Sequence, residues 1–117
     1  MKFKLIGRGT SNMTSLQGHV SATYDEMVEA FGEPHYDTPS GDGKVNTEWE
    51  LEFFDPSFST YVIATIYDWK DFDGGRRSRD GTPYDWHIGG HRRSAVDAVE
   101  SVLKQTAIQK EFEEDFA

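Results

Sequence analysis

The stretch from residue 45 to residue 69 constrains this chain more than any other. Val45, Thr47, Trp49, Leu51 and Phe53 alternate with Asn46, Glu48, Glu50 and Glu52. That is the period-two pattern of a strand with one buried face. Asp55, Pro56 and Ser57 supply turn chemistry. Residues 59–69 return with apolar side chains on both faces, Tyr61, Ile63, Thr65 and Tyr67 against Val62, Ala64 and Ile66. A strand apolar on both faces belongs in the middle of a sheet. The pattern predicts an antiparallel pair of strands 45–54 and 59–69, with Trp49, Leu51 and Phe53 inward.

Weaker signals surround this pair. Residues 2–6 and 15–22 read as strands, the second with Leu16, Gly18, Val20 and Ala22 on one face. Thr23 and Glu26 have capping-box spacing, Met27, Ala30 and Phe31 form an apolar stripe, and Gly32 and Pro34 end that helix. Residues 84–88 read as a strand with Tyr84, Trp86 and Ile88 on one face, broken by Gly89-Gly90. Ser94 and Asp97 look like the cap of a second helix with Val96, Val99, Val102 and Leu103 inward. Residues 7–12, 35–44 and 70–83 are loops by composition. Ile108, Phe112 and Phe116 continue the second helix at i, i+4 spacing. Glu113, Glu114 and Asp115 oppose the helix dipole there, so a frayed tail is expected over about 107–117. The order β-β-α-β-β-β-α predicts a single α+β domain over residues 1–117. Its expected form is a small antiparallel sheet with two helices packed on one face.

Composition narrows the class. At 117 residues the chain is long enough for one core. Aromatic residues make up 14% of it, which argues against disorder. There is no cysteine, so thiolate chemistry is excluded and a reducing compartment is favoured. The first residues are too poor in apolar side chains for a signal peptide, and no apolar run is long enough to span a membrane. A formal net charge of −9 argues against general DNA binding. Yet five of the six arginines, Arg76, Arg77, Arg79, Arg92 and Arg93, fall between residues 76 and 93 with only Asp80 and Asp85 as acids. That segment carries +3, and the rest of the chain −12.

Three constellations are candidates for chemistry. The first is an anion site. A strand, a glycine pair and a helix start bring free N–H groups and the helix dipole together. Its expected members are Trp86, His87, Gly89, Gly90, His91, Arg92, Arg93 and Ser94, joined by Lys70, Arg76, Arg77 and Arg79 from the preceding loop. Guanidinium forks match phosphate oxygens. The competing readings are that the glycines only make a turn, that the arginines pair with the many acids, and that Asp97 occupies the same N–H groups. The second is His87 and His91, with Asp85 nearby as a third donor; the glycines between them keep the pair off a helix, and no metal is expected. The third is the row Glu48, Glu50 and Glu52, which strand alternation places on one face. Its spacing of roughly 7 Å matches that between successive phosphates of a nucleic-acid strand. An ordinary solvent-facing strand has the same look. Walker, dinucleotide, zinc-protease and nucleophile-elbow motifs are all missing, so catalysis ranks below binding, with no catalytic residue and no cofactor expected.

A resemblance adds to this reading. Trp49-Glu50-Leu51-Glu52-Phe53, Ala64-Thr65-Ile66-Tyr67-Asp68-Trp69-Lys70 and Trp86-His87-Ile88-Gly89-Gly90 occur in that order. They are preceded by Tyr24-Asp25-Glu26-Met27-Val28-Glu29-Ala30-Phe31-Gly32-Glu33-Pro34. The pattern resembles a group of small uncharacterised phage proteins over about residues 16–105. The resemblance implies a phage origin, the cytoplasm of an infected bacterium as the place of action, and host components, including defence systems, as targets. The leading expectation is a counter-defence protein that sequesters a phosphorylated small ligand such as a nucleotide immune signal. Trp69, Tyr84 and Trp86 would offer stacking surfaces, the 70–83 loop would order on binding, and a second subunit could complete the site. The alternative is an acidic inhibitor that presents the 48/50/52 glutamates to a host defence or nucleic-acid enzyme.

Overall fold

The computed structural model describes residues 2–6, 14–35, 37, 44–55, 60–71 and 75–115. The elements are β1 (Lys2–Leu5), β2 (Ser15–Ala22), α1 (Tyr24–Phe31), β3 (Glu48–Asp55), β4 (Thr60–Tyr67), β5 (Tyr84–Gly90) and α2 (Ser94–Asp115). The order is the one the sequence predicts, and the fold class is α+β. The 7–12 loop, the Pro56-Ser57 turn, most of the 35–44 loop and Phe116 lie outside the described residues.

All five strands pair antiparallel in the order β1-β3-β4-β5-β2. β4 is central, as its two apolar faces require. Trp49 lies opposite Ile66, Leu51 opposite Ala64 and Phe53 opposite Val62. Trp49, Leu51 and Phe53 are fully buried, as the alternation of β3 predicts.

α2 and α1 close the core. α2 lies across β2, β4 and β5 and buries Ala95, Val96, Ala98, Val99 and Val102. α1 is expected on the sheet beside it but packs mainly on α2. It reaches the sheet through Phe31, whose ring meets those of Phe3 and Phe53, and Tyr24, whose ring meets Trp49. An eight-residue helix leans on the longer one because it has little apolar face of its own, burying only Met27 and Phe31. Its ends follow the sequence. The Thr23 hydroxyl accepts from the Glu26 N–H at 3.1 Å, and the Glu26 carboxylate accepts from the Thr23 N–H at 2.9 Å. Gly32 closes the helix at φ +83°, donating to the Val28 carbonyl.

Two local expectations are corrected. Leu16 is exposed, because a register shift between Leu16 and Gly18 breaks the alternation of β2. β5 does not break at the glycine pair but runs through Gly90. The second helix runs to Asp115, with Lys110 bridging to Glu29 of α1 at 3.3 Å. Ile108 and Phe112 are exposed on that final stretch.

Candidate functional site

The five arginines do not converge. β5 separates the two groups, and a seven-residue strand spans about 20 Å. The 75–83 segment enters β5 at Tyr84, whereas Arg92 and Arg93 leave it after Gly90. At the entry end, Arg77 borders a shallow cleft with Ser21, Asp80, Thr82 and Tyr84. The hydroxyl and backbone N–H of Thr82 hold the Asp80 carboxyl below its ordinary pKa, helped by Arg77. Arg76 is exposed. Arg79 turns inward, where its guanidinium binds Asp37 and the Thr47 hydroxyl and lies over the Tyr24 ring. At the exit end, Arg92 and His91 border a small cleft with Tyr61, Val62 and Ile63. Arg93 reaches the Gln17 carbonyl at 3.5 Å.

The glycine pair is packed on both sides. A Cβ on Gly89 would sit 2.4 Å from the Thr65 hydroxyl, and one on Gly90 would sit 2.6 Å from Cβ of Ala95. The Gly90 carbonyl accepts from the Gln17 amide at 3.0 Å. Gly90 lets the sheet approach α2 closely, and Gly89 leaves room for the Thr65 hydroxyl on the opposite face. Ser94 simply begins α2, whose first turn is set by the Ala95 and Val96 N–H groups donating to the Arg92 and Arg93 carbonyls. Trp86 belongs to the core, fully buried with its indole N–H on the Ala22 carbonyl at 2.9 Å.

The described residues of the 70–83 loop, which is expected to order on binding ligand, include several joined by buried polar groups. The buried Asp68 carboxylate accepts from the N–H groups of Asn46 and Thr47 at 2.7 and 3.0 Å and from the Asn46 amide at 3.2 Å. The Asp71 carboxylate accepts from the Ser78 N–H at 2.9 Å, and the Ser78 hydroxyl donates to the Gly75 carbonyl. Gly75 sits at φ +82° with no side chain to crowd this cluster. Buried polar groups joined in this way hold Asp71, Gly75 and Ser78 together without apolar anchors.

The glutamate row also changes character. Glu48, Glu50 and Glu52 do share one face, opposite Trp49, Leu51 and Phe53. Glu50, however, is only 4% exposed, and Glu52 bridges to Lys4 at 3.4 Å. They do not form a continuous exposed acidic surface.

What that face holds instead is a group of rings. Strand alternation and register place Thr65, Tyr67, His87, Gly89 and His19 on the side of the sheet away from α2. Trp69 follows on the same side. The Tyr67 and Trp69 ring centroids are 6.2 Å apart, those of Tyr67 and His87 5.4 Å, and those of Trp69 and His87 6.0 Å. His19 continues the row, 4.4 Å from His87. Trp69 is 39% exposed, and the ammonium groups of Lys44 and Lys70 each lie 5.9 Å from its ring centre. The Lys70 N–H donates to the Lys44 carbonyl at 2.7 Å, so the two lysines are held side by side. Burial raises the Tyr67 phenol above its ordinary pKa, with Glu48 opposite adding to the effect. Burial, and then His19, lower that of His87. Both rings are therefore neutral at pH 7. Of the residues the sequence singles out, Lys70, His87 and Gly89 lie at or under this group. Tyr67 and His19 were missed, because their placement depends on strand register.

Comparison with protein-family models, with curated proteins and with solved structures finds no match to this chain. Among the described residues, no helix is long and apolar enough to cross a membrane.

Proposed function

We propose that this protein binds a nucleotide without turning it over, taking the base on the ring surface of Trp69, Tyr67 and His87 and the phosphate beside Lys44 and Lys70. The observation that carries this reading is the contact of three rings on the helix-free face with two ammonium groups at its rim. Planar bases stack on aromatic side chains with little regard to sequence, and each stacked base is worth roughly 1–3 kcal/mol. Lysines add charge-assisted contacts to phosphate oxygens. The overall negative charge disfavours long polyanions but not one small ligand held by stacking. In the phage setting that the sequence resemblance implies, such binding serves to sequester a nucleotide signal of host defence.

The acidic-inhibitor alternative loses its main support with the burial of Glu50. The arginine pocket loses its own with the 20 Å of strand between its halves.

The test is a screen of the purified protein against linear and cyclic nucleotides by calorimetry and tryptophan fluorescence, with chromatography of the ligand afterwards. We expect saturable binding of at least one nucleotide, quenching that disappears in Trp69→Ala, and ligand recovered unchanged. Binding unaffected by Trp69→Ala, or no binding at all, rejects the site. Recovery of a reaction product rejects the non-catalytic reading.

A further inference from the structure

His19 and His87 lie directly opposite each other on the neighbouring strands β2 and β5. Their ring centroids are 4.4 Å apart and their planes cross at 74°. The second ring is fenced by Tyr67 and Trp69 on its other side, while His19 is exposed. The His87 Nδ1 is shut off from solvent and has no hydrogen-bond partner of ordinary geometry. With Nδ1 buried, Nε2 is the candidate donor atom of the His87 ring.

The spacing suits a metal. With a metal–nitrogen bond of about 2.0–2.1 Å, each ring centre lies about 3.2 Å from the ion, and centres 4.4 Å apart then subtend about 90°. Tetrahedral zinc needs ring centres about 5.2 Å apart at the same bond length. A right angle between two imidazoles is the cis arrangement of tetragonal copper or nickel. We propose that His19 and His87 form a two-imidazole chelate for a divalent transition metal, with Cu(II) preferred over Ni(II) and Ni(II) over Zn(II). Among the described residues no third imidazole or carboxylate joins the pair, so the remaining positions are filled by water and stay open to exchange. Hard cations such as Mg(II), which demand oxygen ligands, are not held. The inference shares His87 with the nucleotide reading but requires neither Trp69 nor the lysines.

The experiment titrates untagged full-length protein with Cu(II), Ni(II), Zn(II) and Mg(II) salts by calorimetry. Electron paramagnetic resonance of the Cu(II) form counts the coordinating nitrogens. One Cu(II) per chain with two imidazole nitrogens in its spectrum is expected. His19→Ala, at an exposed position, weakens binding at least about tenfold, and His87→Ala does the same. His91→Ala leaves it unchanged. Copper affinity unmoved by His19→Ala, or a spectrum without the second imidazole, overturns the site. Nucleotide binding retained in His19→Ala while copper is lost separates this inference from the proposed function.

Discussion

The Trp49 indole stands edge-on to the Trp86 indole, with ring centroids 5.4 Å apart and planes at 81°. Each N–H donates to a backbone carbonyl, Trp49 to Gly32 at 2.8 Å and Trp86 to Ala22 at 2.9 Å. Gly32 closes α1 and Ala22 ends β2, so the pair ties both ends of the α1 segment to the sheet. Trp49→Ala should cost about 3–5 kcal/mol by urea denaturation, the range for a buried aromatic replaced by a methyl group. Trp86→Ala should cost a similar amount, and the double substitution less than the two together, because the rings touch.

Asp68 makes a prediction of a different kind. Replacing it with Ala strands the Asn46 and Thr47 N–H groups in the interior, at about 1–3 kcal/mol for each donor left unpaired. Amide exchange should then rise across residues 44–47 and 75–79 before it rises in α2. Uniform exchange across the chain would show that this network does not govern the loop.

The arginines should separate into two groups. Arg79→Ala loses charge-assisted bonds to Asp37 and Thr47 and the contact with Tyr24. It should destabilise the fold by about 1.5–3 kcal/mol. Arg76→Ala and Arg92→Ala, at exposed positions, should stay within about 0.5 kcal/mol. Thermal melts of the three variants distinguish this from a common arginine pocket, which predicts little stability change in any of them.

Gly90→Ala places a methyl 2.6 Å from Cβ of Ala95 and 3.0 Å from the Ile63 carbonyl. Overpacking of this kind costs about 1–3 kcal/mol. Adding Ala95→Gly should recover part of the loss, less the roughly 1 kcal/mol that glycine costs within a helix. A double variant no more stable than Gly90→Ala would place the strain at the carbonyl instead.

At the ring surface, Lys70→Ala should weaken nucleotide binding and make what remains less sensitive to salt, since salt screens the charge–phosphate part and not the stacking. Calorimetry at two ionic strengths reads both effects.

Much of the fold was legible because its signals are local. The alternation of Val45 to Phe53, the two apolar faces of β4 and the Thr23–Glu26 capping box each need only a few consecutive residues. The candidate site was less legible because it depends on register. The pairing of His19 with His87 joins residues far apart in sequence, and nothing within β2 announces it. The arginines misled for the same reason. Residues close in sequence on either side of a strand look like neighbours, yet the strand holds them apart. Gly89-Gly90 resembled a break because glycine is usually a turn residue, and only the contacts with Thr65 and Ala95 show the close packing it allows.

The sheet order β1-β3-β4-β5-β2 places the first two strands of the chain on opposite outer edges. β1 must wait for β3, and β2 must wait for β5, more than sixty residues later. During synthesis β1 and β2 therefore emerge before any strand they pair with, and the sheet is completed only once β5 has followed. Long-range closure of this kind slows folding. Refolding should accordingly be limited by the docking of β2 against β5, and α2, which follows β5 in the chain, seals over a sheet whose edges have just been set.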